Sequence, residues 1–280
     1  MLDKIKIDKI STEDDIMNQT GFDMKAFHEM VNLQTELNNK VDPNWKTNNL
    51  DWTMASLLEA GELLDSFDWK WWKSGQTDWE NVEIEVIDLW HFQIARMIEV
   101  NQSDIIAPLL IQADIVHKDY VINKDTLENE IKEMFTKKFI PNLLNENHLG
   151  TTMDLIQIWY KLGYTSSDLF TLYRMKYVLN IFRQDHGYKE GTYLKIWNGV
   201  EDNVAAQNLL ENIDHKNFIS DLTEKLEMEY KTLNKPVDKN IDNFIENNER
   251  WHEMFKTLPL DARDILINFS DEFANYMIEK

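Results

Sequence analysis

The chain is 280 residues long with a net charge of −21, from 29 basic and 50 acidic residues. That balance argues against general nucleic-acid binding, which depends on neutralising phosphates with Lys and Arg. The chain has no cysteine, which excludes thiol catalysis, disulfides and zinc–thiolate centres, and its 8 glycines and 5 prolines are too few for the tight turns of a sandwich or barrel.

Residues 1–22 are polar and mixed in charge and read as an N-terminal extension. Met1–Ile10 alternates charged and apolar residues without an apolar h-region, so no signal peptide is expected. No apolar run of about 18 residues is present to span a membrane, which makes a cytoplasmic location the expectation. From Met24 to Lys40, Phe27, Met30, Val31 and Leu37 fall at helical spacing, and Asp42–Pro43 ends that helix. A second helix is predicted over Leu50–Phe67, and a Trp-rich connection, Asp68–Asp78, leads to a third over Trp79–Val100. That third helix carries Ile84, Val86, Ile87, Leu89, Trp90, Phe92, Ile94, Met97 and Ile98 around most of its circumference, the pattern of a central, buried helix.

Residues 103–150 read as shorter helical pieces divided by Pro108 and Pro141. Helices are predicted at 152–162 and from a cap at Ser167 to Gln184. An ordered loop rich in Gly, Tyr and Lys follows over His186–Gly199, and further helices start near Glu201 and Asn217. Lys235–Pro236 marks a boundary. Beyond it Ala262, Ile265, Leu266, Phe269, Phe273, Tyr276 and Met277 outline an amphipathic helix capped by Asp261. The reading is all-α, with one domain over 23–234 and a C-terminal helical extension over 235–280.

Two of these helices carry acidic pairs at i, i+3: Glu59 with Glu62, and Glu85 with Asp88. Residues three apart share a helix face and can grip one ion together. Both pairs sit in apolar flanks, where an unpaired carboxylate costs several kcal/mol. No Lys or Arg stands at helical spacing beside either pair in its own helix, so a metal is the economical partner. Ligands that are all oxygen select Mg²⁺ or Mn²⁺ over zinc. If the helices form a hairpin across the Trp-rich loop, the four carboxylates converge and can hold two or more ions, a geometry suited to phosphoryl chemistry. Gly61 lies between the first pair, where glycine costs about 1 kcal/mol relative to alanine. It suits a close approach by a ligand or by another helix.

Against the acidic background one basic stretch stands out. Lys176, Asn180 and Arg183 line one helix face, and Tyr188, Lys189 and Lys195 follow in the glycine-containing loop. Arg forks and Lys point charges suit phosphate oxygens, so this stretch reads as the other half of a polyphosphate clamp. His91 shares the face of Asp88 and reads as a core histidine or as a group behind the carboxylates. The Trp69–Trp72 cluster reads either as a stacking surface for a base or as a hinge packed on the core.

The run from Glu59 to Lys73, with Trp79–Phe92 and with Lys176–Lys189 continuing to Trp197–Asn203, resembles the dimeric all-α dUTPases, within the MazG-like all-α nucleoside-triphosphate pyrophosphohydrolases. The resemblance covers roughly residues 24–232. It implies a homodimeric helical bundle with a central four-helix metal-binding core and the dimer interface near the active site. It also implies metal ligands at Glu59, Glu62, Glu85 and Asp88, with Mg²⁺ as cofactor, two or more ions per site, and Mn²⁺ as a possible substitute. Phosphate contacts are implied at Lys176, Asn180, Arg183, Tyr188, Lys189, Lys195 and Asn203. Gln34 and Asn38 match the family's first motif, which touches uracil, and Trp71 is placed in the same pocket. The implied reaction hydrolyses dUTP, and also dUDP, to dUMP, with pyrophosphate released from dUTP, by a metal-activated water whose proton goes to Glu59 or Glu62. The alternatives are a related pyrophosphohydrolase acting on dCTP or a damaged nucleotide, and a regulatory protein that keeps this fold without catalysis. Neither a nucleic acid nor a membrane is expected as a partner.

Overall fold

The structure is a computed structural model describing residues 24–117 and 120–233. Among these residues the fold is all-α apart from one two-residue antiparallel ladder. They divide into two compact units, one comprising residues up to 194 together with 202–226, the other 195–201 with 227–233. The helical extension predicted over 235–280 and the extension over 1–22 lie outside the described residues.

In the first unit α1 is Met24–Val41, α2 Trp52–Asp65 and α3 Trp79–Glu99, close to their predicted spans. Each of the last two begins where an acidic side chain captures a free backbone N–H of the first turn. Asp51 accepts from the Met54 N–H at 2.9 Å, and Asp78 accepts from the Asn81 N–H at 3.1 Å. As its periodicity predicts, α3 is the central helix and packs on α1, α2, α7 (His148–Lys161) and α8 (Ser166–Asp185). Val82, Val86, Trp90, Ile94, Ala95 and Met97 are completely buried along it. An aromatic cluster fixes the start of α2 on α3: Trp52 meets Trp45 edge-on with centroids 6.1 Å apart and lies 6.2 Å from Phe92. Rings of this size contribute mainly through the apolar area they bury.

Neither proline divides the 103–150 segment as predicted. Pro108 stands in the first turn of α4 (Ile106–His117), where its missing N–H would have had no intrahelical partner. Pro141 lies in a helical run that continues from α5 (Lys124–Met134) through a π-helical turn, Phe135–Phe139, into α6 (Ile140–Leu144). The wider turn accommodates a ring that would clash with a regular preceding carbonyl. Two starts also differ. α7 begins at His148 because Asn147 caps it, accepting from the Gly150 N–H at 3.1 Å. α8 is capped by Thr165 rather than Ser167, in a reciprocal capping box with Asp168. α9 (Asp202–Leu209) packs on α8, and α10 spans Phe218–Leu233. In the second unit, β1 (Ile196–Trp197) pairs with β2 (Val200–Glu201), and buried Trp197 packs on Tyr230 with centroids 5.4 Å apart. No described helix is long and apolar enough to cross a membrane.

Candidate active site

The connection between α2 and α3 closes a tight hairpin. The Asp78 N–H donates to the Ser66 carbonyl at 2.8 Å, the Asn81 side-chain amide donates to Ser66 Oγ at 2.8 Å, and Phe67 packs edge-on against Trp79. This closure brings the acidic stretches of the two helices together. Glu59, Glu85 and Asp88 each offer an oxygen within 4.8 Å of the others. Glu85 is buried, and Glu59 and Asp88 are half-buried. Glu62, one turn along α2, is exposed and stands outside this group of three. Its charge still acts on Glu59.

Three carboxyls so close cannot all ionise freely. Burial, then the hydrogen bond that its protonated form donates to Glu59 and the charge of Asp88, push Glu85 up to about 9. Burial, followed by the Asp88 charge, also raises Glu59, so the pair holds a proton between them when no cation is bound. Glu85 Oε2 has no hydrogen-bond partner among the described residues. An unpaired buried carboxylate oxygen within an all-oxygen cluster is what a hard divalent cation would complete, and the residues fit such an ion. A protein cation reaches the cluster from a different helix: Lys176 of α8 approaches Asp88 Oδ2 with its Nζ at 2.7 Å. Lys176 lies far from both acidic pairs in sequence, so helical spacing within α2 and α3 gives no sign of it.

Lys176 is buried, and its Nζ also donates to Asn203 Oδ1 at 2.7 Å. Arg183, two turns along α8, is gripped by Asp202, with Nε to Oδ2 and Nη2 to Oδ1 both at 2.7 Å. It further donates to Asn180 Oδ1 at 3.1 Å and to Asn203 Oδ1 at 3.3 Å. Four of the residues predicted to contact phosphate, Lys176, Asn180, Arg183 and Asn203, therefore form one network beside the carboxylates. α8 ends with Gly187 at φ +85°, and the Tyr188 N–H returns to the Arg183 carbonyl at 3.0 Å. This left-handed cap folds the chain back so that the Arg183 guanidinium lies 5.8 Å from the centre of the Tyr188 ring. Lys189 instead turns toward the end of α1, its Nζ 3.4 Å from the Val41 carbonyl. Lys195 belongs to the second unit. Asp202 is completely buried, also accepts from the Tyr193 hydroxyl at 2.8 Å, and was not singled out in the sequence. Its adjacency to Asn203 was the available signal.

Gln34 and Asn38 lie on the buried face of α1, joined by a 2.8 Å hydrogen bond. His91 is a buried residue tied to Gln34 at 2.8 Å, and burial together with the charge of Lys176 pushes it down to about 3, so it is neutral. Trp71 is 89% exposed and meets Trp72 edge-on. It is therefore not packed on the core as a hinge.

The dUTPase family model matches residues 26–188, more than half of the 280. The chain belongs to the dimeric all-α dUTPase family. The match spans Glu59, Glu62, Glu85 and Asp88 and extends through Tyr188, leaving Lys189, Lys195 and Asn203 beyond its end. Membership makes the chain a hydrolase of the dUTPase family, and its carboxylate cluster a candidate metal site. A search of curated proteins found no match.

Proposed function

We propose that the chain is a dUTP diphosphatase that hydrolyses dUTP, and dUDP, to dUMP, releasing pyrophosphate from dUTP. The observation that carries this reading is the convergence of Glu59, Glu85 and Asp88 around an unpartnered carboxylate oxygen, within the segment matched to dUTPases. These three residues, with Glu62 at the open edge, would hold Mg²⁺. When bound there, the ion supplies positive charge against the triphosphate and acidifies a water enough to serve as nucleophile.

The remaining parts belong to the chain itself. Glu59 or Glu62 would take the proton of the attacking water. Lys176 and Arg183 carry positive charge beside the cluster, and Asn180, Tyr188, Lys189 and Asn203 complete the phosphate set. The Lys176 and Arg183 contacts described above hold those side chains in place before substrate arrives, which favours stabilisation of charge in the transition state. Gln34, Asn38 and Trp71 form the base site. The catalytic domain is taken as residues 23–234.

We also infer a homodimer. Met54 and Leu58 of α2 are 61% and 62% exposed, and a Cβ built on Gly61 of the same helix would meet nothing within 4 Å. A second copy would cover this face. The reading is tested by measuring pyrophosphate release from dUTP, dTTP, dCTP and UTP with and without Mg²⁺. Magnesium-dependent release from dUTP well above the other three is expected. A preference for dCTP, or no turnover of any of them, would overturn it.

A further inference from the structure

Asp202 opens α9 and is completely buried. An aspartate in the first turn of a helix usually serves that helix's own free N–H groups. Asp202 serves side chains instead. Its Oδ2 accepts from Arg183 Nε at 2.7 Å and from the Tyr193 hydroxyl at 2.8 Å, and its Oδ1 accepts from Arg183 Nη2 at 2.7 Å. Two parallel bonds of this kind fix the plane and the direction of a guanidinium. A buried ion pair adds little stability over an apolar pair of the same volume, so the stability of α9 does not account for it.

Held along one edge, the Arg183 guanidinium presents its remaining N–H groups in a fixed direction. There Nη1 donates to Asn180 Oδ1 at 3.1 Å, and Nη2 donates to Asn203 Oδ1 at 3.3 Å. Asn203 Oδ1 also accepts from Lys176 Nζ at 2.7 Å, and the same Nζ stands 2.7 Å from Asp88 Oδ2. The network is thereby continuous with the carboxylate cluster. Arg and Lys side chains only donate, which settles the orientation of both carboxamides: their oxygens face the cations and their NH₂ groups face away. Neither NH₂ group has a partner among the described residues, and neither is sealed from solvent. Four of the five Arg183 N–H donors are already engaged, so Arg183 meets a ligand with its charge and one N–H rather than with an open fork.

We propose that Asp202 is a positioning residue for polyphosphate: by fixing Arg183 it turns the Asn180 and Asn203 NH₂ groups outward, where they donate to phosphate oxygens. This proposal rests on the nucleotide reading given above, and it assigns a role to a residue beyond the segment matched to dUTPases. Donors already aimed at an anion need no reorganisation when it arrives. A carboxamide released from its cation is free to flip, and the flipped form opposes phosphate with an oxygen, a repulsive contact. Asp202 thus acts on phosphate only through Arg183.

The test uses the full chain as wild type, Asp202→Asn, Arg183→Ala and the double variant. Asparagine keeps the size of Asp202 and one acceptor, but its NH₂ opposes the second Arg183 donor. Calorimetry measures binding of the magnesium complex of α,β-imido-dUTP, whose nitrogen bridge replaces the oxygen that hydrolysis would release. Asp202→Asn is expected to weaken binding roughly 10- to 100-fold in the wild-type background, the scale of lost bonds to charged groups, and by less than about twofold in the Arg183→Ala background. An equal loss in both backgrounds would mean that Asp202 only supports α9, and unaltered binding by Asp202→Asn would mean that it does nothing for the site; either overturns the proposal. A second measurement does not depend on how Arg183→Ala folds. ¹⁵N NMR follows exchange of the Arg183 Nε–H with solvent, the signal being identified by its absence in Arg183→Lys. It is expected to be protected in the wild type with and without the analogue, and to exchange freely in Asp202→Asn. Free exchange in the wild type, or protection lost when the analogue binds, overturns the proposal alone. A wild type that does not bind the analogue overturns the nucleotide reading as well.

Discussion

The Glu59–Glu85 pair shows how a site can be poised at a cost in stability. An ordinary glutamate ionises near 4.5, and Glu85 is pushed up to about 9 by burial, Glu59 and Asp88. Between those values the folded, metal-free chain holds a proton that the unfolded chain has released. Stability conferred below about pH 4.5 is therefore progressively lost as pH rises toward 9. Glu85→Gln is neutral throughout and removes this dependence. In chelator, thermal denaturation is expected to find the variant close to wild type near pH 5 and more stable near pH 9, by roughly 1–3 kcal/mol after discounting for solvent around the half-exposed cluster. Adding Mg²⁺ should reverse the order at pH 9, because only the wild type keeps the full ligand set. A wild type whose metal-free stability does not fall across this range would show that the three carboxyls are not compressed together.

At the scale of elements, α2 does two jobs with one sequence. Its inner side packs along α3 and delivers Glu59, and its outer side leaves Met54 and Leu58 exposed beside the open Gly61. In an isolated helix Gly61→Ala should stabilise by about 1 kcal/mol, because alanine has the higher helix propensity and nothing within the chain obstructs its methyl. If a second copy packs on this face, the same methyl intrudes into the interface. Gly61→Ala is therefore expected to weaken the dimer in concentration-dependent sedimentation while raising the melting temperature of the dissociated chain. A variant that dimerises as tightly as the wild type would place the interface elsewhere. Local starts and stops were legible in the sequence where a cap or a periodicity carried them, as at Asp42–Pro43 and along α3. They were misplaced where a side chain two or three residues away competed, as Thr165 did with Ser167. Pro141 was misread because a π-helical turn absorbs it, and that turn leaves no compositional mark.

For the molecule as a whole, the all-α class followed from scarce glycine and proline and from helical periodicity. The carboxylates could be read because each pair lies within one helix turn. What lay beyond the sequence were partnerships made across the fold. Lys176 meets Asp88 from α8, Asp202 holds Arg183 from α9, and His91 and Tyr173 close on Gln34 from two further helices. No spacing rule connects residues so far apart, and only the packing of α1 and α8 on α3, and of α9 on α8, brings them together. The same packing leaves Glu62 exposed and outside the group of three, although its sequence setting matches that of Glu59.

The proposed reaction requires Glu59, Glu85 and Asp88 to hold the divalent cation at which a nucleoside triphosphate is cleaved. Following dUTP with ³¹P NMR in the presence and absence of Mg²⁺, using wild type and Glu59→Gln, checks this requirement. The wild type is expected to convert dUTP to dUMP and pyrophosphate only when Mg²⁺ is present. Folded Glu59→Gln should be slower by at least about 10³-fold, the scale for losing a group that acts on the transition state. Turnover that persists in chelator, or a folded Glu59→Gln with a near-normal magnesium-dependent rate, would contradict it.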